Sequence, residues 1–441
     1  MQHNLNTKHA AILKNLSISE FNEMQLSVIE KAESSANLLL LSPTGSGKTL
    51  AYLMAILNKL SPEAEGVQAI VIAPSRELAL QIEQVFRAMK TSYKVSCCYG
   101  GHSMKIEQNS LSEAPALIIA TLGRLVDHIE RRSFDTRHVK VIVLDEFDKS
   151  LQMGFEDQIE ISIKALGKKY QLILTSATQL APLPKFLPFT KPEVVSYLFQ
   201  VEETKLKLKL IHTSSTDKVD TLMRLVAGFN EEVCLVFCNH RDAVERISAV
   251  FKSNKFEHGI LHGAMDQIDR EKSLIKFRGG AFTVLISTDL ASRGLDIPEI
   301  RHVVHYQLPT NEEAFTHRNG RTARMHADGE AYLVLANDET LPEYIDDTIE
   351  ELKLTKALTL PPAPKYISLY IGAGKKDKIS KGDIAGLLMK KGGLKGDDIG
   401  LITTLDNASY VSVKRSLVNK LLPAIKNEKL KKIKVKIEIA S

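Results

Sequence analysis

Leu38-Leu39-Leu40-Leu41, followed by Ser42-Pro43-Thr44-Gly45-Ser46-Gly47-Lys48-Thr49, decides how the chain is read. An apolar run too short for a helix, emptying into a glycine-rich turn that ends in Lys-Thr, predicts a buried strand, a phosphate-cradling loop and a helix start. The glycines let backbone N–H groups approach phosphate, Lys48 adds a cation, and Thr49 offers a hydroxyl suited to Mg²⁺. Ser42 stands where the general pattern has its first glycine, so a merely flexible strand-to-helix turn remains the alternative for this segment alone. A partner motif lies downstream: Val141-Ile142-Val143-Leu144 empties into Asp145-Glu146-Phe147-Asp148. Two adjacent carboxylates at the end of a buried strand are costly without a cation. Beside a phosphate loop they make sense, with Asp145 holding Mg²⁺ and Glu146 orienting or deprotonating an attacking water. A solvated turn is the plainer reading of the second motif. Both motifs in this order, each after an apolar run, favour a protein that grips a nucleoside triphosphate.

At 441 residues and 49.0 kDa, with 44% hydrophobic residues, the chain has material for several domains with substantial cores. Cys97, Cys98, Cys234 and Cys238 show no paired CxxC spacing and are expected to be reduced core residues of a cytosolic protein. The N-terminus lacks a basic-then-apolar leader, and no run approaches the ~20 apolar residues of a membrane span. These features predict a soluble, cytoplasmic protein. Net charge is +5 but unevenly spread: residues 365–441 carry 17 Lys+Arg against 7 Asp+Glu, and residues 1–364 carry 41 against 46. A basic appendage on a mildly acidic body is the footprint of nucleic-acid binding, with a solubilising lysine-rich tail as the blander alternative.

Between residues 37 and 178 one theme recurs: apolar strand, polar motif, helix. Ala69–Ala73 leads to Pro74-Ser75-Arg76, Ala116–Ala120 to Thr121-Leu122-Gly123-Arg124, and Leu172–Leu174 to Ser176-Ala177-Thr178. Strands alternating with helices imply a parallel sheet, which binds ligands at the carboxyl ends of its strands. A second half repeats the theme at Leu235–Phe237, Gly259–Leu261, Val284–Ile286 and His302–Tyr306, without a phosphate loop of its own. The join is expected near residues 198–204. Leu360-Pro361-Pro362-Ala363-Pro364 reads as the next linker. Beyond it a β-α-β-β-α-β order is predicted, with strands at Tyr366–Tyr370, Ile399–Thr403, Tyr410–Val413 and Ile433–Ile439 and helices at Lys381–Lys390 and Ser416–Lys426. That order suits an RRM-like sheet on which bases stack. Only Tyr366, Tyr370 and Tyr410 are available for stacking, so Lys375, Lys376, Lys378 and Lys381 are expected to carry more of the RNA binding.

From Met24 to about Ala336 these motifs resemble the DEAD-box family of RNA-dependent ATPases and helicases. The resemblance implies an α/β protein with two RecA-like parallel-sheet domains, over residues 1–200 and 205–360, followed by a small RRM-like α+β domain over 365–441. It implies ATP and Mg²⁺ as ligands, held by Thr44, Gly45, Ser46, Gly47, Lys48 and Thr49 together with Asp145, and Glu146 as the residue that activates water. Gln25, at the family's spacing before Lys48, would recognise adenine; a buried or capping glutamine is the alternative. His317-Arg318-Asn319-Gly320-Arg321-Thr322-Ala323-Arg324 matches the family's last motif, in which Arg321 and Arg324 resemble arginine fingers and Asp296 falls at the ribose. Asp148, Ser176, Thr178 and His317 match positions that couple nucleotide state to RNA grip. RNA-backbone contacts would come from Pro74, Ser75, Arg76, Gly100, Gly101, Thr121, Gly123 and Arg124, and from His262, Gly263, Gln267, Arg270, Thr288 and Asp289.

The tail resembles the C-terminal domain of DbpA-type helicases, which direct the enzyme to large-subunit ribosomal RNA; Lys378-Ile379-Ser380-Lys381-Gly382-Asp383-Ile384 and Tyr410-Val411-Ser412-Val413 carry that likeness. The expected activity is ATP-driven local unwinding of RNA, with ribosomal RNA as the expected partner. An ATP-gated RNA clamp, a DNA-directed translocase and a P-loop kinase are the rival classes. Phe147 stands where the family has alanine, and its bulk is expected to adjust packing against the Ser176–Thr178 turn. Residues 1–20 lack the family's aromatic before the glutamine motif.

Overall fold

The computed structural model describes residues 2–440 apart from 44, 102–103, 168, 180–182, 199–205, 290–299, 323–328, 346–348, 355–359, 427 and 432. In its first part, β1 (Asn37–Leu41), β2 (Ala69–Ala73), β3 (Val95–Cys98), β4 (Leu117–Thr121), β5 (Val141–Leu144), β6 (Gln171–Ser176) and β7 (Glu193–Ser196) form one parallel sheet. Their order is β3-β4-β2-β5-β6-β1-β7. β2 and β5 are buried at every position, as strands covered by helices on both faces must be. Leu41 aligns with Ser176, and Leu144 with Ile72 and Leu174, so the polar motifs leave the sheet at one edge. Leu38 and Leu40 pack on one face with Val28, Tyr52 and Ile56, while Ile72, Leu144 and Ile159 pack on the other.

Phe147 belongs to that second core. It is fully buried with Leu144, Ile159 and Leu174. Its bulk is taken up by this core, and the two carboxylates that flank it in sequence, Glu146 and Asp148, are buried as well.

The second part builds another parallel sheet from β8 (Leu206–Thr213), β9 (Cys234–Cys238), β10 (Gly259–Leu261), β11 (Val284–Thr288), β12 (His302–His305), β13 (Gly329–Ala336) and β14 (Glu350–Glu351). Its order, β10-β11-β9-β12-β13-β8-β14, repeats that of the first sheet position for position. The third sheet is antiparallel, ordered β16-β17-β15-β20, from β15 (Tyr366–Ile371), β16 (Ile399–Thr404), β17 (Ser409–Lys414) and β20 (Ile437–Ile439). Helices Lys381–Lys390 and Val418–Ile425 cover one of its faces. The architecture is thus two RecA-like α/β domains followed by a small α+β domain.

Some elements differ from expectation. The last predicted strand is broken: β19 (Ile433–Lys434) turns back on β18 (Lys429–Leu430), and only Ile437–Ile439 joins the sheet. β3, β7, β8, β13 and β14 were not foreseen. β8 alternates Leu and Lys yet pairs on both sides, with β13 and β14. Residues 360–364 form no regular element, and most of the expected join at 198–204 lies outside the described residues. All four cysteines are free thiols. Burial pushes Cys98 and Cys238 up to about 12, which keeps them protonated and unreactive.

Phe147→Ala should cost about 3–5 kcal/mol, the usual loss for emptying a buried aromatic site. Thermal unfolding should report the cost as a lowered midpoint, with RNA-stimulated turnover little changed at temperatures where the variant stays folded; an unchanged midpoint would contradict the core placement.

Candidate nucleotide and RNA sites

Short β1 delivers Ser42–Gly47 to the sheet edge, and helix Lys48–Lys59 begins immediately after. Gly45 and Gly47 have φ of 86° and 90°, a left-handed backbone that side chains resist. Gly47 has a second reason to lack a side chain, because a Cβ there would lie 2.4 Å from the Gln25 amide nitrogen. Lys48 is buried, and its ammonium donates to the carbonyls of Ser42 and of Pro43, the latter at 3.1 Å. Burial pushes its pKa down to about 8, with Asp145 and Glu146 pulling the other way. Thr44 lies outside the described residues.

Gln25 makes the capping interactions that were its alternative reading. Its side-chain carbonyl accepts the Asn22 N–H at 3.0 Å, and its own N–H donates to Asn22 Oδ1 at 2.9 Å. Its amide also donates to the Gly47 carbonyl at 3.3 Å, while Asn22 Nδ2 donates to Ser46 O at 3.0 Å. The capping box thus ties the helix before β1 to the phosphate-type loop after it. Asn22 escaped the sequence reading, although Asn three residues before Gln is a recognised cap signature.

Asp145 sits at the end of β5, almost wholly buried. Its Oδ2 accepts the Tyr52 hydroxyl at 2.8 Å, and its Oδ1 accepts the Thr175 hydroxyl at 2.5 Å and the Glu146 N–H at 3.0 Å. Burial, then repulsion from Glu146, pushes its carboxyl pKa up, with the hydroxyls opposing. Tyr52 also hydrogen-bonds Thr49, so hydroxyl, phenol and carboxylate form one chain. Glu146 adopts φ 48°, ψ 52° as it caps helix Phe147–Gln152. A left-handed glutamate is strained, and such strain collects at working sites. The Glu146 N–H also donates to Thr175 Oγ1 at 3.1 Å, and the Glu146 carboxylate pairs with fully buried Lys149 at 2.7 Å. Hydroxyl and carboxylate oxygens are hard donors of the kind Mg²⁺ takes, and a carboxylate whose ionisation burial opposes is one that a cation would relieve. The residues fit the ion.

Asp148 and the Ser176–Thr178 turn meet: Thr178 Oγ1 donates to Asp148 Oδ2 at 3.2 Å, and Ser176 Oγ donates to Thr178 O at 2.6 Å. Ser176 O in turn accepts the Ser42 N–H at 3.1 Å. Loop, carboxylates and the Ser176–Thr178 turn are therefore one hydrogen-bonded edge.

The expected RNA positions of the first domain collect at the ends of β2, β3 and β4. Ser75 caps helix Arg76–Ala88. The Arg76 guanidinium lies over Gly100 and Gly101, where added Cβ atoms would come within 2.9 Å of its nitrogens. Thr121 caps helix Leu122–Glu130, and Gly123 faces open space. Arg124 lies 3.5 Å from buried Glu107, which also accepts the Tyr99 N–H and pairs with His128 at 2.7 Å. Glu107 was missed, since a lone glutamate in a helix carries no sequence signal. Pro74 sits between β2 and Ser75.

In the second domain buried Arg318 is the missed hub. It pairs with both Asp289 oxygens at 2.6 and 2.7 Å, donates to Gln307 O at 2.6 Å and to Asn239 Oδ1 at 2.7 Å, and lies over the Phe237 ring. It joins the ends of β9, β11 and β12, so Asp289 serves this knot. His317 is buried on helix Glu312–Asn319, 3.6 Å from Glu313, and buried Arg321 follows the helix end. His262 pairs with Glu245 at 2.8 Å beside Gly263, Gln267 and Arg270 lie on helix Gln267–Arg278, and Thr288 closes β11. Arg324 and Asp296 lie outside the described residues.

In the third domain Lys375, Lys376, Lys378 and Lys381 are all exposed, on the turn and helix start after β15. The tyrosines fare differently. Tyr410 is 6% exposed and packs with Ile275 of the second domain, so it is withdrawn from stacking.

Comparison with known proteins follows the same partition. Residues 22–183 match the DEAD/DEAH box helicase family, 217–326 the helicase conserved C-terminal domain, and 368–439 the DbpA RNA binding domain. The chain is 31% identical over 403 residues to the ATP-dependent RNA helicase DbpA of Escherichia coli (strain K12), covering 88% of this chain and 87% of that one. It is 29% identical over 462 residues to the Bacillus subtilis (strain 168) protein of the same name, covering 97% and 96%. Among solved structures, S. cerevisiae Dbp5 bound to RNA and ADP BeF3 aligns with a TM-score of 0.65 and 27% identity, over 74% of this chain and 88% of that one. Among the described residues no helix is long and apolar enough to cross a membrane.

Two outcomes are expected. Thr175→Val removes the hydroxyl shared by Asp145 and the Glu146 amide; losing such a buried bond, worth about 1–3 kcal/mol, should lower turnover by about tenfold or more, and unchanged turnover would contradict the role. Burial, then the charge of Arg318, pushes His305 down to about 3 from its ordinary 6.5. The unfolded chain then binds the extra proton first, so stability is full above 6.5 and is lost as pH falls towards 3. His305→Asn should flatten that acid-side slope in melts recorded against pH; a slope as steep as in the parent protein would refute it.

Proposed function

Because the chain belongs to the DEAD-box ATP-dependent RNA helicases, of the DbpA type, we propose that it couples ATP hydrolysis to local remodelling of large-subunit ribosomal RNA in the cytoplasm. The observation that carries the catalytic part is the buried Asp145–Glu146 pair, fixed by Tyr52 and Thr175 beside Lys48.

In this reading Lys48 and the backbone amides of Gly45–Gly47 bind the phosphates of ATP. Thr49 and Asp145 would hold Mg²⁺, which supplies charge neutralisation on the phosphate oxygens when bound. Glu146 aligns the attacking water and takes its proton; its left-handed backbone and its pairing with Lys149 aim the carboxylate. Gln25 positions the loop through Gly47, and its amide has the chemistry to read adenine. Arg321 and Arg324 keep the arginine-finger role that the resemblance assigns, and Asp296 the ribose role. Asp148, Ser176, Thr178 and His317 transmit nucleotide state.

RNA grip is assigned to Pro74, Ser75, Arg76, Gly100, Gly101, Thr121, Gly123 and Arg124, and to His262, Gly263, Gln267, Arg270, Thr288 and Asp289. Small residues, hydroxyls and guanidinium groups suit phosphate contacts that do not read sequence. The ribosomal target rests on the third domain, whose exposed lysines Lys375, Lys376, Lys378 and Lys381 supply the cationic surface.

Glu146→Gln should keep ATP binding and nearly abolish hydrolysis; normal turnover would sink the catalytic assignment. Replacing Lys375, Lys376 and Lys378 with glutamate should raise the concentration of ribosomal RNA needed for half-maximal ATPase stimulation by about tenfold or more, through lost phosphate contacts, and leave stimulation by poly(A) unchanged. Equal effects on both RNAs would sink the targeting assignment.

A further inference from the structure

Side chains alternate across β15 and β17. Leu369, Ile371, Val411 and Val413 face the covering helices, which leaves Ser368, Tyr370, Tyr410 and Ser412 on the opposite face. An open base-stacking platform would keep that second face wet. Here Ser368 and Ser412 are each 2% exposed.

What covers the face belongs to the second parallel domain: the end of helix Gln267–Arg278 and the Gly279-Gly280 turn after it. Ile275 clusters with Tyr410 and Ala440. Gly279 closes the helix, and a Cβ there would lie 2.0 Å from Ser412 Oγ and 3.4 Å from Ser412 Cβ. Gly280 has φ +71°, a left-handed backbone that favours glycine, and a Cβ there would lie 3.7 Å from the Tyr366 ring, in ordinary contact. The missing side chain at Gly279 thus lets the helix end seat directly on the sheet, and Gly280 makes the turn that follows. At the rim Arg415 grips both oxygens of Glu257 at 2.9 and 2.6 Å, and its Nε donates to Pro364 O at 2.8 Å. The fork-to-fork pair fixes orientation as well as distance.

We propose that the outer face of the C-terminal sheet is the docking surface for the second parallel domain, and that RNA is taken by the lysine-bearing turn Lys375–Lys381 rather than by bases stacking on that sheet. The lysine turn is anchored on the segment between β16 and β17: Lys375 and Lys376 donate backbone N–H bonds to Leu405 and Asp406, and a Cβ at Gly374 would strike those same carbonyls. Its four lysines stay exposed, while on the covered face Ser368, Tyr410 and Ser412 are buried and Tyr366 and Tyr370 half-buried. RNA captured there is then carried at a fixed position on the second domain instead of on a swinging tether. The inference borrows from the proposed function only that RNA reaches the third domain.

The test locks the docked face. Gly279→Cys with Ser412→Cys places two Cβ atoms about 3.4 Å apart, at the short end of disulfide geometry. The cross-link should form under mild oxidation in the absence of RNA, above the background of either single cysteine variant. The oxidised protein should bind purified large-subunit ribosomal RNA, and hydrolyse ATP with it, within about twofold of the same protein after reduction, because phosphate contacts at the lysine turn stay open. A folded double variant that does not cross-link overturns the docking. A locked form that loses RNA affinity tenfold or more, and regains it on reduction, overturns the placement of the RNA. Should the cysteine pair fail to fold, Glu257→Arg and Arg415→Glu give a second measurement: each alone should lengthen the fluorescence-transfer distance between labels on the two domains, and together they should restore it. A double reversal as extended as the single ones also overturns the docking.

Discussion

A carboxylate that burial disfavours, yet that cannot leave, organises the first domain. Asp145 sits at the end of a strand with no exposed residue and is pinned by a phenol, an aliphatic hydroxyl and the next residue's amide. Each donor offsets part of the desolvation cost, and none carries a charge. The neighbouring cation, Lys48, is itself pushed towards neutrality by the same burial. Burial thus disfavours both charges, and a cation beside Asp145 or an anion beside Lys48 would relieve that cost. The strained Glu146 backbone follows from this arrangement, since its amide must reach Asp145 and Thr175 while its side chain turns to Lys149.

The second domain repeats the strand order but solves its edge differently. Where the first sheet gathers a loop and two carboxylates, the second gathers the ends of β9, β11 and β12 around the Arg318 guanidinium. Five N–H donors in a rigid fork can satisfy three chain segments at once, which a lysine could not. The knot holds helix Glu312–Asn319 against the sheet, and so fixes the positions of buried His317 and Arg321. One strand order thus carries a glycine-rich loop and two carboxylates in one copy and an arginine-centred knot in the other.

Much of this was legible in the chain. The apolar runs at Leu38–Leu41 and Val141–Leu144 announce buried parallel strands because such strands need no polar face, and the motifs after them mark the sheet edge. What escaped notice shares one property: it depends on partners distant in sequence. Tyr52, Thr175, Glu107 and Arg318 are ordinary residues until the fold brings Asp145, Tyr99 and Asp289 beside them. β8 and β13 were missed because alternating Lys-Leu and a mixed Gly-Glu-Ala-Tyr start obscure strands that pairing on both sides secures. Phe147, adjacent to two carboxylates in sequence, takes a core position at the start of helix Phe147–Gln152, which its neighbours in the chain do not announce. The tyrosines of the third domain were judged by their own sheet, and only the fold places Ile275 over them.

The role proposed for Asp145, a buried carboxyl bound by three hydrogen-bond donors, is to hold the magnesium ion that accompanies the nucleotide. It is tested most directly by titrating ADP into wild-type protein and into Asp145→Asn, with and without Mg²⁺. Tighter binding with Mg²⁺ in the wild type, and no such gain in the variant, is the result the account predicts. A variant that keeps the full magnesium gain would contradict it.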